Sequence, residues 1–266
     1  MSVVLVEVAD QIGTITLNRP EARNAISGQL TRELDEAVTD LDGREGVACI
    51  VLTGADPAFC AGVDLKALAS EPRQDQVDRQ SGPTAHFGFL PPHETPVIGA
   101  INGATVTGGL EIALNCDFLI ASERARFADT HARVGAMPGA GLIVRLPQLI
   151  GVDRARRMSF TGDFIDAATA LAWGLVAEVV PHERLLERAR EIAAGVASIP
   201  RDNIREIRRM YETIGALSGE VAWQAESDWS RRWMQERFDQ SRLATERETI
   251  MARGRSQSSG LDNAPA

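Results

Sequence analysis

The stretch Asn102-Gly-Ala-Thr-Val-Thr-Gly-Gly-Leu-Glu111 decides the fold. It follows an apolar, β-branched run at 97–101. Its glycine-rich turn leads into a helical segment, 108–115, where Leu110, Ile112, Ala113 and Leu114 surround a single acid. A strand that hands over to a helix through glycines leaves the first N–H groups of that helix without intrahelical acceptors, a favourable place for negative charge. Glycine at 108 lets the backbone approach a ligand that a side chain would block. Glu111, one turn later, is a carboxylate on an otherwise apolar helix, and burying such a group is costly unless it is paired or used.

Two further segments belong with this one. Ala58-Phe-Cys-Ala-Gly-Val-Asp-Leu-Lys66 repeats the pattern, with small residues at a strand end and a short helix predicted over 64–69. Its amides near Val63 and those near Gly108, converging on one oxygen, would form an oxyanion hole. The third segment is Phe127-Ala-Asp-Thr-His-Ala-Arg-Val-Gly-Ala-Met-Pro-Gly-Ala-Gly141, a polar loop running into a Pro/Gly turn.

Outward from these segments, the first half alternates strand-like and helix-like stretches. Residues 3–8 and 12–18 read as a hairpin. Ser27 precedes a helix over 28–42, with Leu30, Leu34, Ala37, Val38 and Leu41 on one face. Residues 47–52 form a short strand, and 53–62 a loop. Residues 70–96 break the rhythm and read as a loop around a short helix near 85–90. A strand at 118–121, helices at 142–149, 154–161 and 166–173, and a last strand at 175–180 follow. From residue 183 the pattern is helical almost to 253. The expected organisation is a core over 1–195 containing the active site, a helical region over 196–253, and a frayed tail over 254–266.

Composition narrows the function. The 266 residues carry a formal charge of −9, so a nucleic-acid partner is not expected. Lys66 is the only lysine among the 28 basic residues. Cys49, Cys60 and Cys116 are widely spaced and odd in number, which argues against a disulfide framework or a zinc site and fits a reducing, cytoplasmic compartment. The apolar stretch 97–121 is interrupted by Asn102, Glu111, Asn115 and Asp117, so no membrane span is expected. There is no Walker A, Gly-x-Ser-x-Gly or His-Glu-x-x-His motif. Cys60 reads as a small packing residue, His86 and His93 as solvated, and Arg205, Arg208 and Arg209 as a solvated helix face. Trp229 and Trp233, four apart, read as core or subunit-interface packing.

Taken in order, the motifs resemble the enoyl-CoA hydratase/isomerase (crotonase) superfamily over roughly residues 4–180. The matching pieces are Leu17-Asn-Arg-Pro-Glu-Ala-Arg-Asn-Ala25, Phe59-Cys-Ala-Gly-Val-Asp-Leu-Lys66, and Asn102-Gly103 with Gly108-Gly109-Leu110-Glu111. Pro138-Gly-Ala-Gly141 and Thr161-Gly162 ahead of Trp173-Gly-Leu-Val176 complete the set. The resemblance implies an α/β fold, a spiral of ββα units with a helical C-terminal trimerisation region that builds homotrimers or hexamers. It implies acyl-CoA thioester substrates, a shared thioester-enolate chemistry and no cofactor beyond the coenzyme A of the substrate. By position, the amides of Val63 and Gly108 would be the oxyanion donors and Glu111 the first of two catalytic glutamates. Arg23, Ala25, Ala61, Asp64, Leu65, Lys66, Gly109, Pro138 and Gly139 would line the substrate channel.

One position departs from the pattern: His131 stands where the hydratases carry their second glutamate. Its imidazole could position a water or relay a proton, and Asp129 would point the same way if the loop is extended. The expected reaction is hydration of a trans-2-enoyl-CoA, with Glu111 and His131 as the catalytic pair. Isomerisation, thioester hydrolysis or decarboxylation on the same enolate, or acyl-CoA binding without turnover, are the alternatives.

Overall fold

A computed structural model describes residues 2–64, 88–215 and 217–237. The chain divides into two compact units, residues 1–208 and 209–266. The first begins with the expected hairpin: β1 (Val4–Ala9) and β2 (Ile12–Leu17) pair antiparallel, Val4 opposite Leu17 and Ala9 opposite Ile12. Ser27 caps α1 (Gly28–Gly43), its hydroxyl accepting the N–H of Leu30 at 3.2 Å.

The strands that follow come in pairs. They are β3 (Cys49–Gly54) and β4 (Ala58–Cys60), β5 (Val97–Ile101) and β6 (Ala104–Val106), and β7 (Phe118–Ser122) and β8 (Arg126–Ala128). The first member of each pair joins one sheet, of order β1-β2-β3-β5-β7-β10. The second joins another, of order β4-β6-β8-β9, where β9 is Ile165–Asp166 and β10 is Glu178–Val180. Helix α2 (Gly108–Leu114) follows β6, and α3 (His131–Val134) follows β8. Each pair therefore lays one strand in each sheet, and a helix follows the second and third pairs, as expected of a ββα spiral. α4 (Leu142–Ile150), α5 (Val152–Thr161), α6 (Ala167–Trp173), α7 (Leu185–Ala197) and α8 (Arg201–Ile214) follow.

Strands β3 and β5, in the middle of the large sheet, are buried along their whole length, and adjacent residues of each point to opposite faces. Ile50 and Leu52 face a core shared with Leu30, Leu34 and Leu41 of α1. Cys49 and Val51 face a second core with Leu185, Ala189 and Ala193 of α7. The helix α9 (Gly219–Glu236), in the second unit, carries Trp229 and Trp233 half-buried, and none of its described side chains is buried.

Several expectations need correction. The expected loop at 53–62, the glycine-rich turn after 102 and the start of the loop expected over 127–141 hold the short strands β4, β6 and β8. Runs of three residues have too little periodicity to be legible, and they are strands only because parallel neighbours complete them. Arg205 and Arg208 are not a solvated face. Arg205 pairs with Asp42 and Glu94, and Arg208 with Asp117 at 2.9 Å. His93 is likewise tied, through Nδ1 to the Pro91 carbonyl at 2.7 Å and through Nε2 to Arg208 at 2.9 Å. The short helices expected over 64–69 and 85–90 fall mainly outside the described residues, as do His86 and the tail.

Candidate active site

Thr107 sets the start of the site. It sits at φ 56° and ψ −113°, a conformation costly for a β-branched residue. Three bonds hold it there: its N–H donates to the Ala128 carbonyl, its hydroxyl shares a hydrogen bond with that of Thr130, and Thr130 N–H donates to its Oγ1. The strained residue turns the chain from β6 directly into α2, whose first N–H belongs to Gly108.

Against Gly108 lies a second ribbon. The N–H of Ala61 donates to the Arg23 carbonyl, Ile26 N–H to Gly62 O at 2.8 Å, and Asp64 N–H to Ile26 O at 2.9 Å. These bonds pair Ile26 with Val63 in a parallel bridge. In that pattern the residues flanking Val63 bond to Ile26, so the N–H of Val63 itself faces away from it. Gly62 has φ +90°, and a Cβ there would stand 3.6 Å from the Gly108 nitrogen and 2.8 Å from Val106 O. The two proposed donors thus lie at the meeting point of two segments that pass as bare backbone. Gly109 serves the same closeness, since a Cβ on it would lie 2.1 Å from Cys60 O.

Glu111 is buried on α2, yet its carboxylate is fully engaged. Oε1 accepts the N–H of Gly139 at 3.0 Å and that of Ala140 at 2.7 Å. Oε2 faces Nε2 of His131 at 3.6 Å. The Pro138–Gly141 turn, of which Pro138 and Gly139 are expected to line the substrate channel, is therefore also the clamp that aims the Glu111 carboxylate. Asn115, one turn beyond Glu111, donates from Nδ2 to the carbonyls of Glu111 and Ala140 and accepts the Phe89 N–H at 2.9 Å. No motif in the sequence singles it out, although an amide four residues from a buried acid shares its helical face.

His131 opens α3, is buried, and turns Nδ1 toward Asp129 Oδ1 at 2.7 Å. Asp129 is thus no alternative to His131 pointing into the site; it is the partner behind it. Burial opposes a charged imidazole here, but hydrogen bonds and charge attraction from Asp129 and Glu111 outweigh it and raise His131 to about 9. Burial likewise opposes the Asp129 carboxylate, and bonds from His131 and Ser159 hold it below the usual range.

The remaining expected residues fall as follows. Ala25, Ala61 and Asp64 lie along the ribbon beside Val63, and Arg23 is exposed at its start. The Asp64 carboxylate is paired with Arg19 at 3.0 Å. Pro138 and Gly139 border Glu111, whereas Leu65 and Lys66 lie outside the described residues. Cys60 is fully buried and its thiol is pushed up to about 12, which suits packing and not nucleophilic attack. A Ser122–His182–Asp56 array, each contact 3.0 Å, resembles a nucleophilic triad. Ser122 is fully buried and its Oγ already accepts the Arg124 N–H, so the array ties loops together.

No described helix is long and apolar enough to cross a membrane. The family model described as enoyl-CoA hydratase/isomerase matches residues 7–247. A probable peroxisomal enoyl-CoA hydratase of Arabidopsis thaliana is 40% identical over 185 residues, 70% of this chain and 69% of that protein. The crystal structure of an enoyl-CoA hydratase from Mycobacterium smegmatis is similar with a TM-score of 0.73 at 48% identity, covering 88% of this chain and 98% of that one. One from Bacillus anthracis gives 0.85 at 33% identity, covering 93% and 96%. The ββα spiral is thus the crotonase fold, and the chain belongs to the enoyl-CoA hydratase/isomerase family.

Proposed function

We propose that this protein is an enoyl-CoA hydratase, adding water across the α,β double bond of a trans-2-enoyl-CoA to give a 3-hydroxyacyl-CoA. The observation that carries the reading is the buried Glu111 carboxylate, one oxygen clamped by two backbone N–H groups and the other facing His131 at 3.6 Å. In this reading the thioester oxygen sits between the amides of Val63 and Gly108, which stabilise the enolate as charge develops. Glu111 and His131 supply acid–base catalysis at C3 and C2. Arg23, Ala25, Ala61, Asp64, Gly109, Pro138 and Gly139 are assigned to binding the substrate, as are Leu65 and Lys66 by their position in the motif alone. The thioester is its own electron sink, so the chemistry calls for no metal or redox cofactor.

The cytoplasm is the compartment that fits the chain's three unpaired, buried cysteines. The exposed apolar side chains of Met137, Ile143, Val144, Phe160 and Phe164 support assembly into a homotrimer or a hexamer, which sedimentation would measure. The activity test is loss of the conjugated enoyl-thioester absorbance with short, medium and long substrates, with mass spectrometry of the products. A gain of one water is the expected result. Bound but unchanged substrate at every chain length would overturn the reading.

A further inference from the structure

The hydratase reading accounts for Glu111 and His131 but leaves Asp129 without a task. Asp129 is 1% exposed, and a carboxylate so buried requires a strong reason. Its Oδ1 accepts both the backbone N–H of His131, at 3.2 Å, and the imidazole Nδ1, at 2.7 Å. Since an ionised carboxylate only accepts, this contact places a proton on Nδ1 and leaves Nε2 as the working nitrogen. Nε2 is the atom that faces Glu111 Oε2. The charged groups facing the ring are therefore Glu111 from α2 and Asp129 from the turn before α3. Arg133, on the same short helix, is turned to Thr161 and Asp163.

We infer that Asp129 is a positioning residue that keeps His131 an imidazolium, so that Nε2–H is the acid of the reaction and Glu111 the base. The inference rests on the hydratase reading and assigns its two protons. Glu111 Oε2 takes a proton from water as the water oxygen bonds to C3. The π pair moves through the thioester enolate and takes the Nε2 proton to form the C2–H bond. One water has been added, leaving Glu111 protonated and His131 neutral. Transfer from Oε2 to Nε2 then restores both groups. A histidine does the work of the second glutamate because a buried carboxylate stands behind it, and a single carboxylate between Glu111 and substrate would lack that cation.

The test is a titration joined to a rate profile. The ring resonances of His131, assigned by their loss in His131→Gln, are followed from pH 5 to 10 in the wild type, Asp129→Asn and Ser159→Ala. The wild-type ring is expected to lose its proton near pH 9. Asp129→Asn should move that midpoint down by about two pH units or more, and Ser159→Ala, which removes a hydrogen bond to Asp129, by less in the same direction. A wild-type midpoint near 6.5, or one that neither variant moves, overturns the inference without reference to activity. In hydration of a short trans-2-enoyl-CoA, the alkaline limb of kcat should follow the same midpoint. For Asp129→Asn, kcat at pH 8 should fall at least tenfold, recover toward pH 6, and leave KM within about threefold. A loss of kcat equal at every pH would make Asp129 structural and overturn the proton assignment. A wild type that titrates as expected but hydrates nothing would instead overturn the hydratase reading, and with it the assignment of the two protons.

Discussion

Nδ2 of Asn115 donates to the Ala140 carbonyl at 3.0 Å, while the N–H of the same alanine donates to Glu111 Oε1 at 2.7 Å. The clamp on the Glu111 carboxylate is thus itself held from behind by the residue that caps the C-terminus of α2. Replacing Asn115 with Leu keeps the side-chain bulk but removes the donor to Ala140 and the acceptor for Phe89 N–H. The expected result is a fall in kcat of about tenfold and a loss of about 1–3 kcal/mol in stability. Hydration kinetics and urea unfolding check it, and an unchanged kcat would show that the 138–141 turn holds its shape unaided.

Glu111→Gln tests the role of this carboxylate directly. The amide oxygen can still accept from Gly139 and Ala140, so the pocket geometry should survive. Turnover should fall by about 10²–10⁴ with acyl-CoA affinity retained, read by initial rates and calorimetry. Full activity in this variant would remove Glu111 from the mechanism.

Two glycines give opposite predictions. A Cβ at Gly109 would lie 2.1 Å from the Cys60 carbonyl, in backbone that cannot move aside without displacing β4. Gly109→Ala should cost about 1–3 kcal/mol and most of the activity. Gly43, the last residue of α1, has open space to 4 Å around the place a methyl group would take, and its φ is not positive. Gly43→Ala should leave activity alone and stabilise by about 0.4–1 kcal/mol. Thermal unfolding and kcat of the two variants, side by side, decide both.

Glu33 should make the fold acid-sensitive. Its carboxylate accepts from Gln29 Nε2, from the Ser2 hydroxyl and from the N–H groups of Val3 and Val4. The Gln29 bond is the largest influence. Burial opposes it, and the Ser2, Val3 and Val4 bonds add to it, so the group falls from its ordinary 4.5 to about 2. A group lowered on folding stabilises above its unfolded value and loses that contribution as pH falls through the folded one. The stability difference between wild type and Glu33→Ala should therefore be constant above about pH 5 and shrink between 4.5 and 2. A difference that does not narrow over that window would place the effect in packing.

Local patterns were legible where local physics decides them. The hairpin, the amphipathic α1 and the hand-over at Gly108 depend on alternation, helical spacing and glycine, all visible within a dozen residues. The candidate residues Val63, Gly108, Glu111 and His131 stood in the sequence at recognisable spacings. What each touches did not. Asp129 beside His131 could be taken for a second acid until the ring was seen to turn its Nδ1 toward it. Arg205 and Arg208 carry the spacing of a solvated face, and their partners Asp42 and Asp117 are 163 and 91 residues away.

The sequence by itself determined the longer strands and helices in their order and the residue types at the site, because backbone propensity and side-chain period act between near neighbours. Tertiary structure decided which three-residue segments became strands, which carbonyls and amides clamp Glu111, and which carboxylate stands behind His131. Those outcomes depend on hydrogen bonds between distant segments, and such bonds have a geometry only once the sheets and helices have packed.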